Sequence, residues 1–293
     1  MRRLALVALV ALACGPIAAH AQTLALAYKT GDAYKYAISS NSNTTVDLSG
    51  ITIPVKLEMS GGETIKVTSV SSDGTADVSI DLSNVVIKTT TGQTTSTTTG
   101  TQVPTISMKI AADGRVLSVN GTGLGGNPLT MFSGGGGFIA AVLPDKAVAV
   151  GDTWSKDFDQ ANPMGTGKIH ITNKSKYLRD ESVNGISAAV VQTTSNGTLD
   201  ITIDMSKAMA GSSSSSSTVF SPGLFQSMSI KGEVTADTTS WIDPAGHRVL
   251  KSHKTGKTNL TMAFGGMSTP PPVPGLTGPI NVKGEDTTDL APA

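Results

Sequence analysis

A phrase of eleven residues occurs twice in this chain and constrains its fold more than any other feature. The first copy, DGTADVSIDLS, occupies residues 73–83, and the second, NGTLDITIDMS, occupies residues 196–206. Each copy joins an Asx-Gly pair, typical of a hairpin turn, to alternating apolar and polar residues, typical of a half-buried strand. The repeat predicts two similar β halves, in which each copy is a turn that leads into a strand.

Period-two alternation continues along most of the chain, most clearly over residues 51–59 and 106–110. Pro54 cannot donate to a ladder, so its strand is predicted to lie at a sheet edge. The phase slips at residues 85–87, which predicts a β-bulge or a strong bend. Because polar residues fill one face, we expect an all-β, antiparallel meander whose two fused halves form a curved sheet or open barrel.

Turn signals separate these strands. Residues 113–114 and 184–185 are Asx-Gly pairs that predict hairpins, and residues 243–246 predict a type I turn. Residues 89–101 and the serine run at 211–218 predict long, mobile hairpin tips, since they are almost entirely Thr, Ser and Gly.

Helix signals are confined to the connection between the halves. Asn127-Pro128 predicts a short helix that extends to Phe132, and residues 138–143 predict a second single turn. From these patterns we divide the chain into a signal peptide (1–21), a first β half (22–143), a second β half (144–268) and an extended, loosely held Pro/Gly-rich tail (269–293).

The N-terminus has the layout of a secretory signal peptide. Two arginines precede an apolar run at residues 4–13, and Ala19-His20-Ala21 forms a small-x-small cleavage site, so cleavage is expected after Ala21. The protein is therefore expected in the periplasm, the outer envelope or outside the cell, with no transmembrane segment after the signal. The alternative is a lipoprotein signal in which Cys14 is acylated.

Composition excludes several functions. Cys14 is the single cysteine, so no disulfide is expected after cleavage. The formal net charge is 0 and no basic stripe is present, which argues against a nucleic-acid partner. Two Trp, four Tyr and six Phe residues are too few for an extended stacking surface on sugars or bases. The oligomeric state stays open.

No catalytic, cofactor-binding or metal-binding residues are predicted, and no cofactor is expected. His170, His247 and His253 lack a second ligand at zinc spacing. We expect the side chains of His247 and His253 to be solvated. The chain has neither a G-x-S-x-G elbow nor a phosphate-cradling loop, since residues 134–137 are glycines without the following lysine. The protein is expected not to be an enzyme.

The repeat places two aspartates on one face of each copy: Asp77 with Asp81, and Asp200 with Asp204. Four residues of strand separate the members of a pair by roughly 13 Å, which is too far for paired acid–base catalysis of glycoside hydrolysis. Pairs from the two halves would bind a cation if they met across the join. Otherwise they form a solvated polar face that discourages edge pairing.

Residues 143–154, LPDKAVAVGDTW, carry a family resemblance. They are similar to the L-P-x-K-x-V-x-V-G-D-x-W motif of a bacterial exported β-rich family of unknown function, whose members open with Gly-Asp-x-Tyr, as at residues 31–34. The resemblance implies no activity and no functional residue. Trp154 is expected to be a packing anchor at the join between the halves. More distantly, the predicted meander resembles LolA-like and mycobacterial lipid-carrier half-barrels, which implies a lipid or lipoprotein partner.

Three functions remain open. The leading hypothesis is a non-enzymatic exported protein that binds a lipid or other apolar ligand in a concave β surface. The alternatives are a structural or adhesive cell-surface module without a cavity, and a hydrolase whose site is assembled from scattered residues. The implicated inward residues, which would serve equally as a closed core, are Ile80, Leu82, Ile201, Ile203 and Met205, with residues 132–138 as a lid. A connected apolar cavity of about 300 Å³ or more would favour the carrier.

Overall fold

The chain is all-β wherever the computed structural model describes it, which is over residues 21–100, 105–120, 141–161, 165–204, 226–266 and 278–293. The strands are β1 (Ala33–Leu48), β2 (Ile51–Val70), β3 (Ala76–Thr91), β4 (Thr94–Thr99), β5 (Ile106–Ile110), β6 (Val116–Asn120), β7 (Thr153–Ala161), β8 (Gly165–Val183), β9 (Ile186–Asp204), β10 (Ser227–Asp243), β11 (Arg248–Gly265) and β12 (Ile280–Pro292). None of the described residues is helical. The helix predicted at 127–132 lies outside these ranges, and of residues 138–143 the described part, 141–143, is not helical.

All strand pairs are antiparallel and belong to one curled sheet, a half-barrel. Its order is β6-β5-β3-β2-β1-β12-β11-β10-β9-β8-β7, with β4 paired to β3 beside this path. The predicted fold class is therefore confirmed. Among the described residues, the sheet ends at β6 and β7, while the first and last strands, β1 and β12, lie side by side in its middle.

The prediction of a loosely held tail is wrong for its last part. Ile280–Pro292 forms β12, which pairs with β1 on one side and β11 on the other. The prolines before residue 275 obscured an alternation in which Ile280, Val282 and Leu290 point to the same buried face. Burial of this apolar face, rather than the composition of the preceding residues, determines the structure of the C-terminus.

The two copies of the repeat differ in structure at their first residues. Gly74 lies in the turn before β3, as predicted, but Asn196 and Gly197 lie in the middle of β9, so the predicted turn is wrong there. Gly197 instead allows a close approach, since a Cβ at this position would lie 2.8 Å from Cγ2 of Val234. The turn before β9 is Asn184-Gly185, as its own sequence predicts. The division into two halves stays a prediction.

Strand β2 is internal, so the edge position predicted from Pro54 is also wrong. The sheet accommodates this proline because the β2–β3 ladder begins only at Val55, and the Pro54 carbonyl accepts from the Gly92 amide in the turn beyond it. The predicted bulge is confirmed: the β2–β3 register shifts between Ser60 and Gly62, and Asn84 has a φ of 51°.

One face of the sheet, the inner face, carries the buried side chains, and a short cover closes one end of it. The cover consists of residues 22–28 and 141–148, which are connected through reciprocal backbone hydrogen bonds between Gln22 and Val148 of 2.8 and 3.0 Å. Its apolar side chains pack with those of the strands in a first core cluster. This cluster includes, from the cover, Leu24, Leu26, Tyr28, Ala141, Leu143 and Val148, and, from the strands, Ile65, Ile80, Tyr177, Val191, Ile242 and Leu290.

Candidate functional site

The other end of the inner face carries a second apolar cluster, here called the far cluster. Its described members all belong to strands of the sheet, and none belongs to the cover. The six strands that contribute are neighbours in the order β1-β12-β11-β10-β9-β8. The buried members are Ile169, Leu199, Ile201, Ile203, Met228, Ile230, Leu260, Met262, Ile280 and Val282, with Val46, Leu48, Ile171, Val234 and Phe264 packed against them.

The structure separates the residues that were predicted to face a ligand. Ile201 and Ile203 are buried in the far cluster. Ile80 is buried in the first cluster and Leu82 packs against it, so these two belong to the covered end. Met205 and the predicted lid at 132–138 lie outside the described residues. The two ends of the inner face therefore differ: the cover packs into one, whereas the described members of the far cluster are buried strand side chains to which the cover contributes nothing.

Between the two apolar clusters, the inner face is polar. Lys254 on β11 lies between Thr288 on β12 and Thr238 on β10 in the strand registers, and both threonines are buried. One step closer to the far cluster, Asp286 on β12 lies opposite Gly256 on β11. We call these two cross-strand rows the polar band, and its side chains are Ser40, Ser42, Thr288, Asp286, Lys254, Thr238, Thr193, Ser195, Ser175 and Asn173.

Some side chains of the polar band make hydrogen bonds to the cover. The Val142 amide donates to Thr193 Oγ1 at 3.3 Å, and Ser175 Oγ donates to the Val142 carbonyl at 3.0 Å. The hydroxyls of Ser175 and Thr193 are themselves 2.8 Å apart. The β8 and β9 part of this band therefore holds the cover in place, since buried backbone groups need partners.

The β11 and β12 part of the band contains a buried ion pair. Lys254 Nζ lies 3.2 Å from Asp286 Oδ2, and their side chains are 12% and 5% exposed. The distance makes this an ion pair, but Asp286 Oδ2 has no aligned hydrogen bond, and Ser252 Oγ, which is also buried, has no partner. Burial raises the pKa of Asp286, and the Lys254 ammonium partly opposes that rise. This pair was not predicted from the sequence. In the alternation of their strands, however, both Lys254 and Asp286 lie on the same face as the buried apolar residues.

A second buried carboxyl lies at the covered end. Glu63 on β2 is only 1% exposed, and neither carboxylate oxygen has a hydrogen-bond partner. It lies opposite Tyr36 on β1 and Leu82 on β3. Burial raises the pKa of Glu63 from 4.5 to about 7. Glu63 therefore exchanges a proton near neutral pH in apolar surroundings.

The aspartates of the repeat do not meet, because five strands lie between β3 and β9 in the sheet. Asp81 accepts from Lys66 at 2.8 Å and from Thr105 at 2.7 Å, and these bonds, led by the one from Lys66, hold its pKa below the usual range. Asp200 is largely exposed and lies 3.2 Å from Lys231. In the described part of the chain, no three His, Cys, Asp or Glu side chains come close enough to hold a metal ion.

Two of the three histidines lie at exposed positions of strands, and the third lies in a turn. His170 and His253 are exposed and lie 2.8 and 2.7 Å from Asp159 and Asp289. The expectation of a solvated side chain is wrong for His247, which is half-buried in the β10–β11 turn. Its Nδ1 lies 3.3 Å from the Ala25 carbonyl, and its own carbonyl accepts from the Ala27 amide. His247 thus attaches the cover to a turn.

The motif at residues 143–154 forms a cleft of about 340 Å³ beside β7. Trp154 is confirmed as an anchor: its ring packs against the first cluster and Nε1 donates to the Val142 carbonyl at 2.8 Å. In the cleft wall, Lys156 Nζ lies 2.7 Å from Asp113 and 2.6 Å from Asp145. Such a charged lining does not suit an acyl chain, because burying unsolvated charge beside hydrocarbon is costly.

These charged side chains also connect the two edges of the sheet, the β5–β6 hairpin and β7. Asp113 lies in the hairpin between β5 and β6, whereas Lys156 lies on β7. Arg115 places its guanidinium 5.3 Å from the ring centre of Phe158, also on β7. Burial alone would raise the pKa of Asp113, but the hydrogen bonds from Lys156 and Arg115 outweigh it and hold the pKa below its usual range. Side-chain contacts therefore close the half-barrel at the covered end.

Comparison with known proteins yields a distant likeness to solved structures. No protein-family profile and no curated protein matches the sequence, so the motif-bearing family is not confirmed. The chain is similar to lipovitellin at 10% identity and TM-score 0.45 over 91% of its length, but spans only 26% of the lipovitellin chain. An outer membrane lipoprotein-sorting domain from Vibrio parahaemolyticus is 9% identical, with TM-score 0.17 and coverages of 88% and 83%.

A DUF1329 family protein from Desulfovibrio piger is also 9% identical, with TM-score 0.14 and coverages of 87% of this chain and 83% of that protein. Likenesses at these scores carry no argument about function. Within the described ranges, no helix is long and apolar enough to pass through a bilayer.

Proposed function

We propose that this protein is an exported lipid-binding protein that holds an acyl chain against the far cluster. The observation that carries the proposal is the difference between the two ends of the inner face. At the covered end, the cover supplies Leu24, Leu26 and Leu143 to the core, and all three are at most 2% exposed. The far cluster contains no residue of the cover. A curled apolar sheet surface of this extent suits a hydrocarbon chain.

The energetics of an acyl chain fit such a surface. Each buried methylene contributes about 0.8 kcal/mol, so a chain of sixteen carbons has enough apolar area to give tight binding after the entropic cost of ordering. Leu, Ile and Met side chains dominate the far cluster. The unbranched Met228 and Met262 adapt readily to a flexible chain.

The test is uptake of a fluorescent fatty acid by the purified protein, with two variants that differ only in the face they alter. Val234 packs against the far cluster, so Val234→Trp fills the space that the chain would occupy. Thr235 is its neighbour on β10 and is exposed on the opposite face, so Thr235→Trp adds the same ring outside. We expect Val234→Trp to lose most of the uptake and Thr235→Trp to retain it.

Equal uptake by both variants would place the ligand elsewhere. No uptake by the unaltered protein, with circular dichroism showing an intact sheet, would contradict the proposal and leave a structural or adhesive module as the better account.

A further inference from the structure

We infer that the Lys254–Asp286 pair is the headgroup site of the bound lipid and that it selects a headgroup without net charge. The inference rests on the proposed lipid-binding function. It identifies the ligand as an amphiphile whose polar end lies inside the half-barrel, on the polar band, while its acyl chain lies on the far cluster.

The first support is position. Asp286 and Val282 lie four residues apart on the same face of β12, which is about 13 Å along the strand. Lys254 and Leu260 lie six residues apart on the same face of β11, which is about 20 Å. In the strand registers, however, the row of Asp286 borders the row of Val234, which packs against the far cluster. The ion pair therefore lies where the polar end of an inserted amphiphile would lie.

The second support is unused hydrogen-bonding capacity. Asp286 Oδ2 and Ser252 Oγ are buried and lack hydrogen-bond partners among the described residues, while Lys254 Nζ has three donors and faces Asp286 without good alignment. Buried polar atoms in native proteins are nearly always satisfied. A ligand that donates to Asp286 and accepts from Lys254 would satisfy the hydrogen-bonding capacity of both members of the ion pair.

The third support is charge. Lys254 and Asp286 are the only charged side chains of the polar band, so its net charge is zero. A net-anionic headgroup would leave one buried negative charge unbalanced, which is unfavourable in a desolvated site. A zwitterionic headgroup places its ammonium beside Asp286 and its phosphate beside Lys254, and the buried charge stays balanced.

An outward ion pair on the same two strands provides a matched control. Lys257 Nζ lies 3.2 Å from Glu285 on the opposite face, with side chains 73% and 71% exposed. Neutralising Glu285 changes the net charge of the protein by the same amount as neutralising Asp286, but it leaves the inner face intact.

The experiment measures lipid transfer from vesicles to the purified protein. The vesicles contain either phosphatidylethanolamine, which is zwitterionic, or phosphatidylglycerol, which is net-anionic, with identical dioleoyl chains. We expect the unaltered protein to take up the zwitterionic lipid about tenfold or more in preference to the anionic one. Asp286→Asn leaves the band with one net positive charge and is expected to reverse the preference. Glu285→Gln is expected to leave it unchanged.

A second variant distinguishes loss of the headgroup site from misfolding. Lys254→Met with Asp286→Met replaces the pair by apolar side chains, a change that buried ion pairs often tolerate without loss of stability. This variant is expected to fold and to take up both lipids equally.

Uptake of both lipids without preference by the unaltered protein would overturn the headgroup assignment and leave the acyl-chain site standing. A preference that Asp286→Asn does not change would have the same consequence. Uptake of neither lipid, nor of the fluorescent fatty acid, would instead overturn the proposed function.

Discussion

Replacing Glu63 by Gln should make the stability of this protein less dependent on pH. Glu63 is 1% exposed and neither of its oxygens has a partner, and burial raises its pKa from 4.5 to about 7. A carboxyl whose pKa is higher in the folded state stabilises the fold fully below the unfolded pKa, and that contribution disappears as pH rises through the folded pKa. The window for this loss therefore extends from about pH 4.5 to about pH 7.

The size of the effect follows from the pKa difference. Each pKa unit corresponds to about 1.4 kcal/mol, so ionising Glu63 in the folded state costs about 3 kcal/mol at pH 8. Gln has nearly the same shape as protonated Glu and does not ionise. We therefore expect Glu63→Gln to be similar to the unaltered protein at pH 4.5 and more stable by about 3 kcal/mol at pH 8.

Urea denaturation followed by tryptophan fluorescence, at several pH values between 4.5 and 8, measures this difference. Subtracting the two proteins at each pH cancels the titration of the other carboxyls. Glu285→Gln, on an exposed face of β12, is the control and should give a difference close to zero throughout. A Glu63→Gln difference that is the same at pH 5 and pH 8 would refute the reasoning.

Two further predictions concern packing and charge. Lys156→Met should destabilise the fold by about 1–3 kcal/mol in urea denaturation, because Asp113 would lose the ammonium 2.7 Å away; unchanged stability would show that this contact is dispensable. Gly256→Ala should destabilise by about 1–3 kcal/mol, because a Cβ there would lie 2.3 Å from Asp286 Oδ1. Adding Asp286→Ala should recover part of that loss, and equal melting temperatures for Gly256→Ala and the unaltered protein would contradict the clash.

Apart from β4 and β12, the strands and most turns were predictable, because local patterns determine them. Asp113-Gly114 and Asn184-Gly185 form the turns that their residue types favour, and the phase slip at 85–87 is a bulge. The turn predicted at Asn196-Gly197 is wrong because Asx-Gly pairs suit turns, whereas here the glycine allows contact with Val234 in mid-strand. A local signal cannot distinguish these two uses of glycine.

The polar band was not predictable as a site, because it depends on strand pairing. Lys254 and Asp286 are far apart in the chain and become neighbours only through the register of β11 and β12. A weaker signal was available: Asp286 has the same phase as Val282 and Leu290, which marks it as a polar residue on a buried face. The pairing of β1 with β12 has no local signature either, since it joins the first and the last strand of the chain.

The most direct measurement of the central claim is mass spectrometry of lipid extracted from the protein after purification from its native envelope. The account predicts a phospholipid bound in a ratio close to one per chain and lost in Val234→Trp but not in Thr235→Trp. A folded protein that carries no lipid would contradict it.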